Sequence, residues 1–217
     1  MFTESRIAML CSAPIANLPK IKEKIIQFPI LIAVDGGANH CHAMDLRPHL
    51  LVGDLDSIAP HVLKAFCDVP QKRYPSEKDK TDLEIALELA MHPGIERITV
   101  FGAVGGRVDH TMGNFILLSR YPGKVFLESE TELIFVIHGQ VELSTEPGQT
   151  LSLIPLNGPV TGITTQGLKW PLKEEMLSKN FMGISNLTTE SKVSISVKEG
   201  DLLCYTQVTS KLAARRD

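Results

Sequence analysis

HLLVGDLDSI (residues 49–58) sets Leu50, Leu51 and Val52 directly against two aspartates two positions apart. A short apolar run that stops at Gly and Asp reads as a strand buried on both faces, as in a parallel sheet. If the chain stays extended past Gly53, Asp54 and Asp56 share a face. Two adjacent carboxylates raise each other's cost of ionising unless a cation sits between them or water screens them. The stretch is therefore a cation site at a strand end or a solvated turn, with Asp54 forming the bend and Asp56 capping the helix that follows.

The neighbouring sequence repeats the pattern. ILIAV (30–34) runs into Asp35-Gly36-Gly37-Ala38-Asn39, and ITVF (98–101) runs into GAVGGRVDH (102–110). RIAMLCS (6–12) and KVFLE (124–128) read as further strands, while residues 17–27, 81–91 and 108–120 carry helical periodicity. Apolar strands alternating with helices predict a doubly wound, mostly parallel sheet covered on both faces. In such a sheet ligands bind where strand C-termini line one edge. Three polar clusters far apart in sequence are thus expected at one site.

A fourth cluster opens a helix in PSEKDKTDLEIALELAM (75–91). Thr81 and Glu84 fit a capping box, which makes Asp82 the first helical residue, favoured there by the helix dipole. Lys78 and Lys80 precede it as cations beside an anion site or as part of a solvated loop. Several carboxylates at one edge are hard oxygen ligands of the kind Mg²⁺ takes together with phosphate oxygens and water. Gly105 and Gly106 allow backbone N–H groups to approach a phosphate, and Arg107 offers a fork of donors. The turn fits neither G-x-G-x-x-G nor a P-loop, and alone it is equally a tight strand-to-helix connection. His40-Cys41-His42 lacks a second ligand pair for zinc, and no nucleophile elbow is present.

Beyond about residue 138 the pattern changes to short strands separated by Gly, Pro and Asn turns, which predicts a small antiparallel sandwich or barrel. The expected division is residues 1–138 as a nucleotide-binding α/β domain, 139–208 as a β-sandwich, and 209–217 as a flexible tail. The length of 217 residues suits a larger and a smaller domain. A net charge of −3 gives no basic footprint for nucleic acid. Four cysteines without a CxxC pair predict free thiols in a reducing cytoplasm. MFTESRIAML carries an acidic residue and a very short apolar run, so no signal peptide is expected, and no run is long enough for a membrane helix.

DGGANH (35–40), GDLDSI (53–58), EKDKTDLEIAL (77–87) and GAVGGRVDHTMGN (102–114) resemble, in order and spacing, the thiamine pyrophosphokinases. GLKWPL (167–172), GISN (183–186) and GDLLCY (200–205) extend the resemblance over about residues 5–205. It implies a homodimer with its active site at the subunit interface, and transfer of diphosphate from ATP to the thiamine hydroxyl with release of AMP. It further implies that Asp54, Asp56 and Asp82 hold Mg²⁺ on the triphosphate, with Asp35 nearby. Trp170 would stack on the thiamine pyrimidine, and Ser185 and Asn186 would line that pocket from the partner subunit. Gly36, Gly37, Asn39, Lys78, Lys80, Thr81, Gly105, Gly106, Arg107, Asp109 and His110 complete the expected nucleotide contacts. Without the resemblance, Trp170 reads as a sandwich core residue and Ser185-Asn186 as a turn. A diphosphokinase of a hydroxymethylpterin and a non-catalytic sensor of nucleotide or thiamine remain the competing readings.

Overall fold

The computed structural model describes residues 3–208; the expected tail, 209–217, lies outside the described residues. The elements in chain order begin with β1 (Arg6–Leu10), α1 (Leu18–Ile25), β2 (Ile30–Val34), α2 (Gly37–Ala43), β3 (Leu50–Gly53), α3 (Pro60–Ala65) and β4 (Gln71–Arg73). There follow α4 (Asp82–Ala90), β5 (Arg97–Phe101), α5 (Val108–Leu118) and β6 (Val125–Glu128). The rest is strand: β7 (Glu132–Ile137), β8 (Gln140–Ser144), β9 (Thr150–Pro155), β10 (Val160–Gln166), β11 (Glu175–Leu177), β12 (Gly183–Leu187), β13 (Lys192–Ser196) and β14 (Leu202–Gln207). Two compact units result, one reaching Asn114 and including Leu127–Glu130, the other formed by Phe115–Phe126 and Thr131 onward.

In the first unit the strands pair in parallel in the order β5-β1-β2-β3-β4. The chain winds outward from β1 to β4 and then returns to place β5 on the other side of β1. Ala8, Leu10, Leu31, Ala33 and Leu51 pack on one face with Ile21 and Ile25 of α1, Ala38 and Cys41 of α2, and Val62 of α3. The alternate residues Ile7, Met9, Ile32 and Val52 are equally buried, and α4 packs on β2 and β3. This two-sided burial is why the strands are continuous apolar runs. Local signals set the helix starts. The Asn17 side chain accepts the Lys20 N–H at 3.0 Å, and Thr81 Oγ1 accepts the Glu84 N–H at 3.2 Å.

Register brings the strand ends level. Val34 pairs with Val52, Ala33 with Leu10, and Leu10 with Phe101. The segments beginning at Cys11, Asp35, Gly53 and Gly102 therefore leave one edge of the sheet together.

The second unit is an antiparallel sandwich. One sheet runs β7-β14-β9-β12 and the other β8-β13-β10-β11. Leu133, Phe135, Leu151, Leu153 and Cys204 of the first meet Ile163, Leu177, Val193 and Ile195 of the second in one apolar cluster. The change of composition at residues 138–139 lies inside this unit, because β7 pairs along its whole length with β14. Among the described residues, no helix is long and apolar enough to cross a membrane.

Candidate active site

At the sheet edge, Asp35, Asp54 and Asp82 each bring a carboxylate oxygen within 4.8 Å of the others. Asp35 follows β2 in a left-handed turn (φ 44°), and its N–H is held by the Val52 carbonyl at 2.7 Å. Asp82 is the first residue of α4, so its place is fixed by the Thr81 cap. Two glycines make the approach possible. A Cβ on Gly53 would lie 3.0 Å from Asp35 Cβ and 3.2 Å from Asp82 Oδ1, and one on Gly37 would lie 1.8 Å from the Leu10 carbonyl oxygen. Any larger residue would push the acids, or α2 and β1, apart.

The electrostatics follow from burial. Asp35 Oδ1 and Asp82 Oδ1 are buried and have no hydrogen-bond partner. Asp82 Oδ1 lies 3.1 Å from Lys78 Nζ, an ion pair without hydrogen-bond alignment. Burial pushes the Asp82 carboxyl above the usual range despite Lys78, and the Asp35 and Asp54 charges push the same way. Asp54 is held below the usual range, chiefly by the Asp56 N–H that its Oδ1 accepts at 3.2 Å. Hard oxygens, two of them buried and unbonded, form a donor set suited to a hard divalent cation.

Asp56 is placed differently from the extended-chain expectation. Strand β3 ends at Gly53, and Leu55 is left-handed (φ 66°), so Asp54 and Asp56 meet through a turn and not along an extended strand; the Asp56 N–H and side chain both help hold the Asp54 carboxyl down. Asp56 is exposed and lies 3.1 Å from Ser57 Oγ, which also reaches Asp35 Oδ2. Ser57, within the GDLDSI stretch, sits between the two acids, and its single hydroxyl proton serves one of them at a time. Gly36 forms the N-cap of α2. The Asn39 carboxamide donates to the Ser57 carbonyl and accepts the Ala59 N–H, both at 2.9 Å, so it ties the loop after β2 to the loop after β3.

The remaining predicted residues divide. Lys78 also donates to the Pro75 carbonyl at 3.0 Å and lies 3.9 Å from Asp54 Oδ2. Lys80 pairs with both oxygens of Glu88 on α4 at 2.7 Å. Gly105 and Gly106 are left-handed in an exposed turn, which Thr111 and Asn114 hold: Thr111 Oγ1 accepts the Gly105 N–H at 3.1 Å and Asn114 Nδ2 donates to the Ala103 carbonyl at 2.8 Å. Arg107 grips Asp109 through two N–H groups at 3.1 and 2.6 Å, and these bonds hold the Asp109 carboxyl down at about 2. His110 is exposed beside them.

In the second unit Trp170 is 55% exposed, with Lys169 Nζ 4.7 Å from its ring centroid. It is therefore a surface ring, not part of the sandwich core. Ser185 is exposed and left-handed (φ 61°) at an irregularity in the pairing of β12 with β9. Asn186 is buried and bonded to the Trp170 backbone.

Residues 21–128 match the family model of the thiamin pyrophosphokinase catalytic domain, and residues 138–202 match that of its vitamin B1 binding domain. The chain is 31% identical over 205 residues to thiamine pyrophosphokinase 1 of Arabidopsis thaliana, covering 79% of this chain and 75% of that protein. The chain belongs to the thiamine pyrophosphokinase family. Solved family structures agree in fold. The thiamin pyrophosphokinase of Geobacillus thermodenitrificans superposes with a TM-score of 0.83 at 30% identity, over 95% of this chain and 99% of that one. The Bacillus subtilis enzyme gives 0.82 at 25% identity, over 94% and 99%.

Proposed function

We propose that this chain transfers the terminal diphosphate of ATP to the hydroxyl of thiamine, giving thiamine diphosphate and AMP. The thiamine oxygen forms a bond to the β-phosphorus, the bond from that phosphorus to the α–β bridging oxygen breaks so that this oxygen leaves on AMP, and the hydroxyl proton passes to solvent. The observation that carries the reading is the Asp35–Asp54–Asp82 cluster at the strand edge, whose buried Asp35 Oδ1 accepts no hydrogen bond and whose Asp82 Oδ1 faces only the Lys78 ammonium.

In this reading Asp35, Asp54 and Asp82 hold Mg²⁺, with Asp56 supporting Asp54, whose Oδ1 accepts the Asp56 N–H. The ion supplies charge neutralisation for the triphosphate and the leaving group. Lys78, Lys80, Arg107, Asp109, His110 and the glycine turns at 36–37 and 105–106 serve the nucleotide; Asn39 and Thr81 fix the loops that carry them. Trp170 presents its π-face to thiamine, a cationic aromatic, and Ser185 contacts it beside the ring. We assign nucleotide chemistry to the first unit and thiamine binding to the sandwich; the boundary expected at 138–139 falls after β7, which already belongs to the sandwich.

The protein acts as a homodimer whose active site is shared between subunits. Exposed Met176, Phe181, Met182 and Ile184 on the sandwich and Val108, Met112 and Ile116 along α5 support an apolar interface. The four free cysteines fit a reducing cytoplasm, with burial pushing the Cys11 and Cys41 thiols up to about 12.

The test is AMP release with thiamine and Mg-ATP. Stoichiometric AMP and thiamine diphosphate are expected. AMP formed only with a pterin alcohol, or binding without product, would reject the assignment.

A further inference from the structure

We propose that Asn186 is a positioning residue whose carboxamide clamps the backbone of Trp170 and so fixes the indole that receives thiamine. The inference rests on the assignment of Trp170 to the thiamine site.

The segment before Trp170 is laid along β12 by main-chain bonds. Thr189 N–H donates to the Gly167 carbonyl and Lys169 N–H to the Leu187 carbonyl, each at 2.8 Å. At Trp170 a side chain takes over from the backbone. Asn186 Nδ2 donates to the Trp170 carbonyl at 2.7 Å, and Asn186 Oδ1 accepts the Trp170 N–H at 3.2 Å. The same Oδ1 accepts the Leu187 N–H at 2.9 Å. These partners determine the amide orientation, because the reverse would set an NH₂ group against two N–H donors.

Exposure separates the neighbours in the GISN stretch. Asn186 is 9% exposed and its polar atoms are occupied, whereas Ser185 beside it is exposed. The irregularity between Gly183 and Asn186 produces the difference. Ser185 takes the left-handed conformation, with its N–H on Ser152 Oγ at 3.0 Å, and the next side chain then turns inward. Ser185 is thus available for contact and Asn186 for support. A half-exposed ring whose residue is held through both its N–H and its carbonyl is pre-organised for stacking, so less ordering remains for binding.

Trp170 is the only tryptophan in the chain, so intrinsic fluorescence of the full-length protein reports on this ring alone. In Asn186→Ala, fluorescence anisotropy is expected to fall and acrylamide quenching to rise. The KM for thiamine is expected to increase about tenfold, with kcat and the KM for ATP within about twofold, the pattern of lost substrate positioning. Asn186→Asp has the same shape and keeps the acceptor but faces the Trp170 carbonyl with oxygen; it is expected to show the same optical loosening. That variant decides the matter should the alanine protein not fold. Native anisotropy and quenching in a folded variant overturn the proposal. If the thiamine KM still rises there, Asn186 touches substrate directly and the thiamine site stands. An unchanged thiamine KM in Trp170→Ala removes the site itself, and the proposal with it.

Discussion

The ammonium of Lys78 lies 3.1 Å from Asp82 Oδ1 and 3.9 Å from Asp54 Oδ2. One ammonium does not neutralise three converging carboxylates, so the cluster retains a demand for positive charge that a divalent ion meets. Lys78→Met is expected to destabilise the metal-free protein by about 1–3 kcal/mol, the range for a part-buried polar group that loses its partner, here the ion pair with Asp82. Added Mg²⁺ should recover part of that loss. Thermal unfolding with and without Mg²⁺ measures both, and an unchanged metal-free melt would show that Lys78 does not act as the counter-charge.

Asp82→Asn should separate stability from activity. Burial raises the Asp82 pKa, so its charged form is disfavoured by folding. A carboxyl raised in the folded state adds stability at low pH and loses it as pH rises through the folded value. The asparagine protein is therefore expected to melt higher than the parent at neutral pH without metal, while its turnover falls roughly 10²–10³-fold, as when a preorganised electrostatic group is removed. Asp56→Asn, at an exposed residue beside Asp54 and outside the three-acid cluster, should lose less on the same scale. Equal losses in the two variants would mean that Asp56 belongs to the ion site itself.

Some of this was legible in the sequence and some was not. Ile30–Val34 forms strand β2 as read, because a strand buried on both faces carries no polar residue to confuse it. The helix start at Asp82 was equally clear, since Thr81 supplies the cap locally. The turn after β3 was not. Leu55 adopts a left-handed conformation that an isolated Leu gives no reason to expect, and it turns the chain so that Asp54 Oδ1 accepts the Asp56 N–H instead of the two acids lying along an extended strand. Motif resemblance places Asn39 and Asn186 among the ligand contacts, whereas their amides bond to Ser57 and Ala59 and to Trp170, partners 16 to 20 residues away in sequence. Polar residue type and spacing point to a site; which polar atoms are already occupied depends on tertiary packing.

Gly37→Ala tests the approach of α2 to β1. A Cβ there would fall 1.8 Å from the Leu10 carbonyl oxygen, which is backbone and cannot rotate aside. The expected cost is at least about 3 kcal/mol, the upper end for overpacking a core. Because Asp35 sits two residues earlier, catalysis should fall as well. Gly105→Ala adds a methyl into open space and meets only the strain of its φ of 97°, so its cost should be about 1–3 kcal/mol. Denaturation midpoints rank the two, and a Gly105 variant as damaged as the Gly37 variant would contradict the steric account.

Glu128, at the end of β6, is 8% exposed and pairs with Lys24 of α1 at 3.0 Å and with Arg97 of β5 at 3.3 Å. Lys24 Nζ also donates to the Ser129 carbonyl at 2.7 Å, and Arg97 Nε to Thr99 Oγ1 at 2.9 Å. Glu128→Gln removes the anion that both cations face, and the expected loss is about 3–5 kcal/mol, as for a buried pair deprived of one partner. Replacing Lys24 by Met in the same protein takes one desolvated cation away with the anion, so the double variant should be more stable than Glu128→Gln alone. Urea unfolding of the parent, both single variants and the double variant closes the cycle, with an unchanged urea slope showing that stability alone has moved. A double variant that loses the full sum of the single losses would mean that Lys24 and Glu128 stabilise the first unit independently, whatever their 3.0 Å separation.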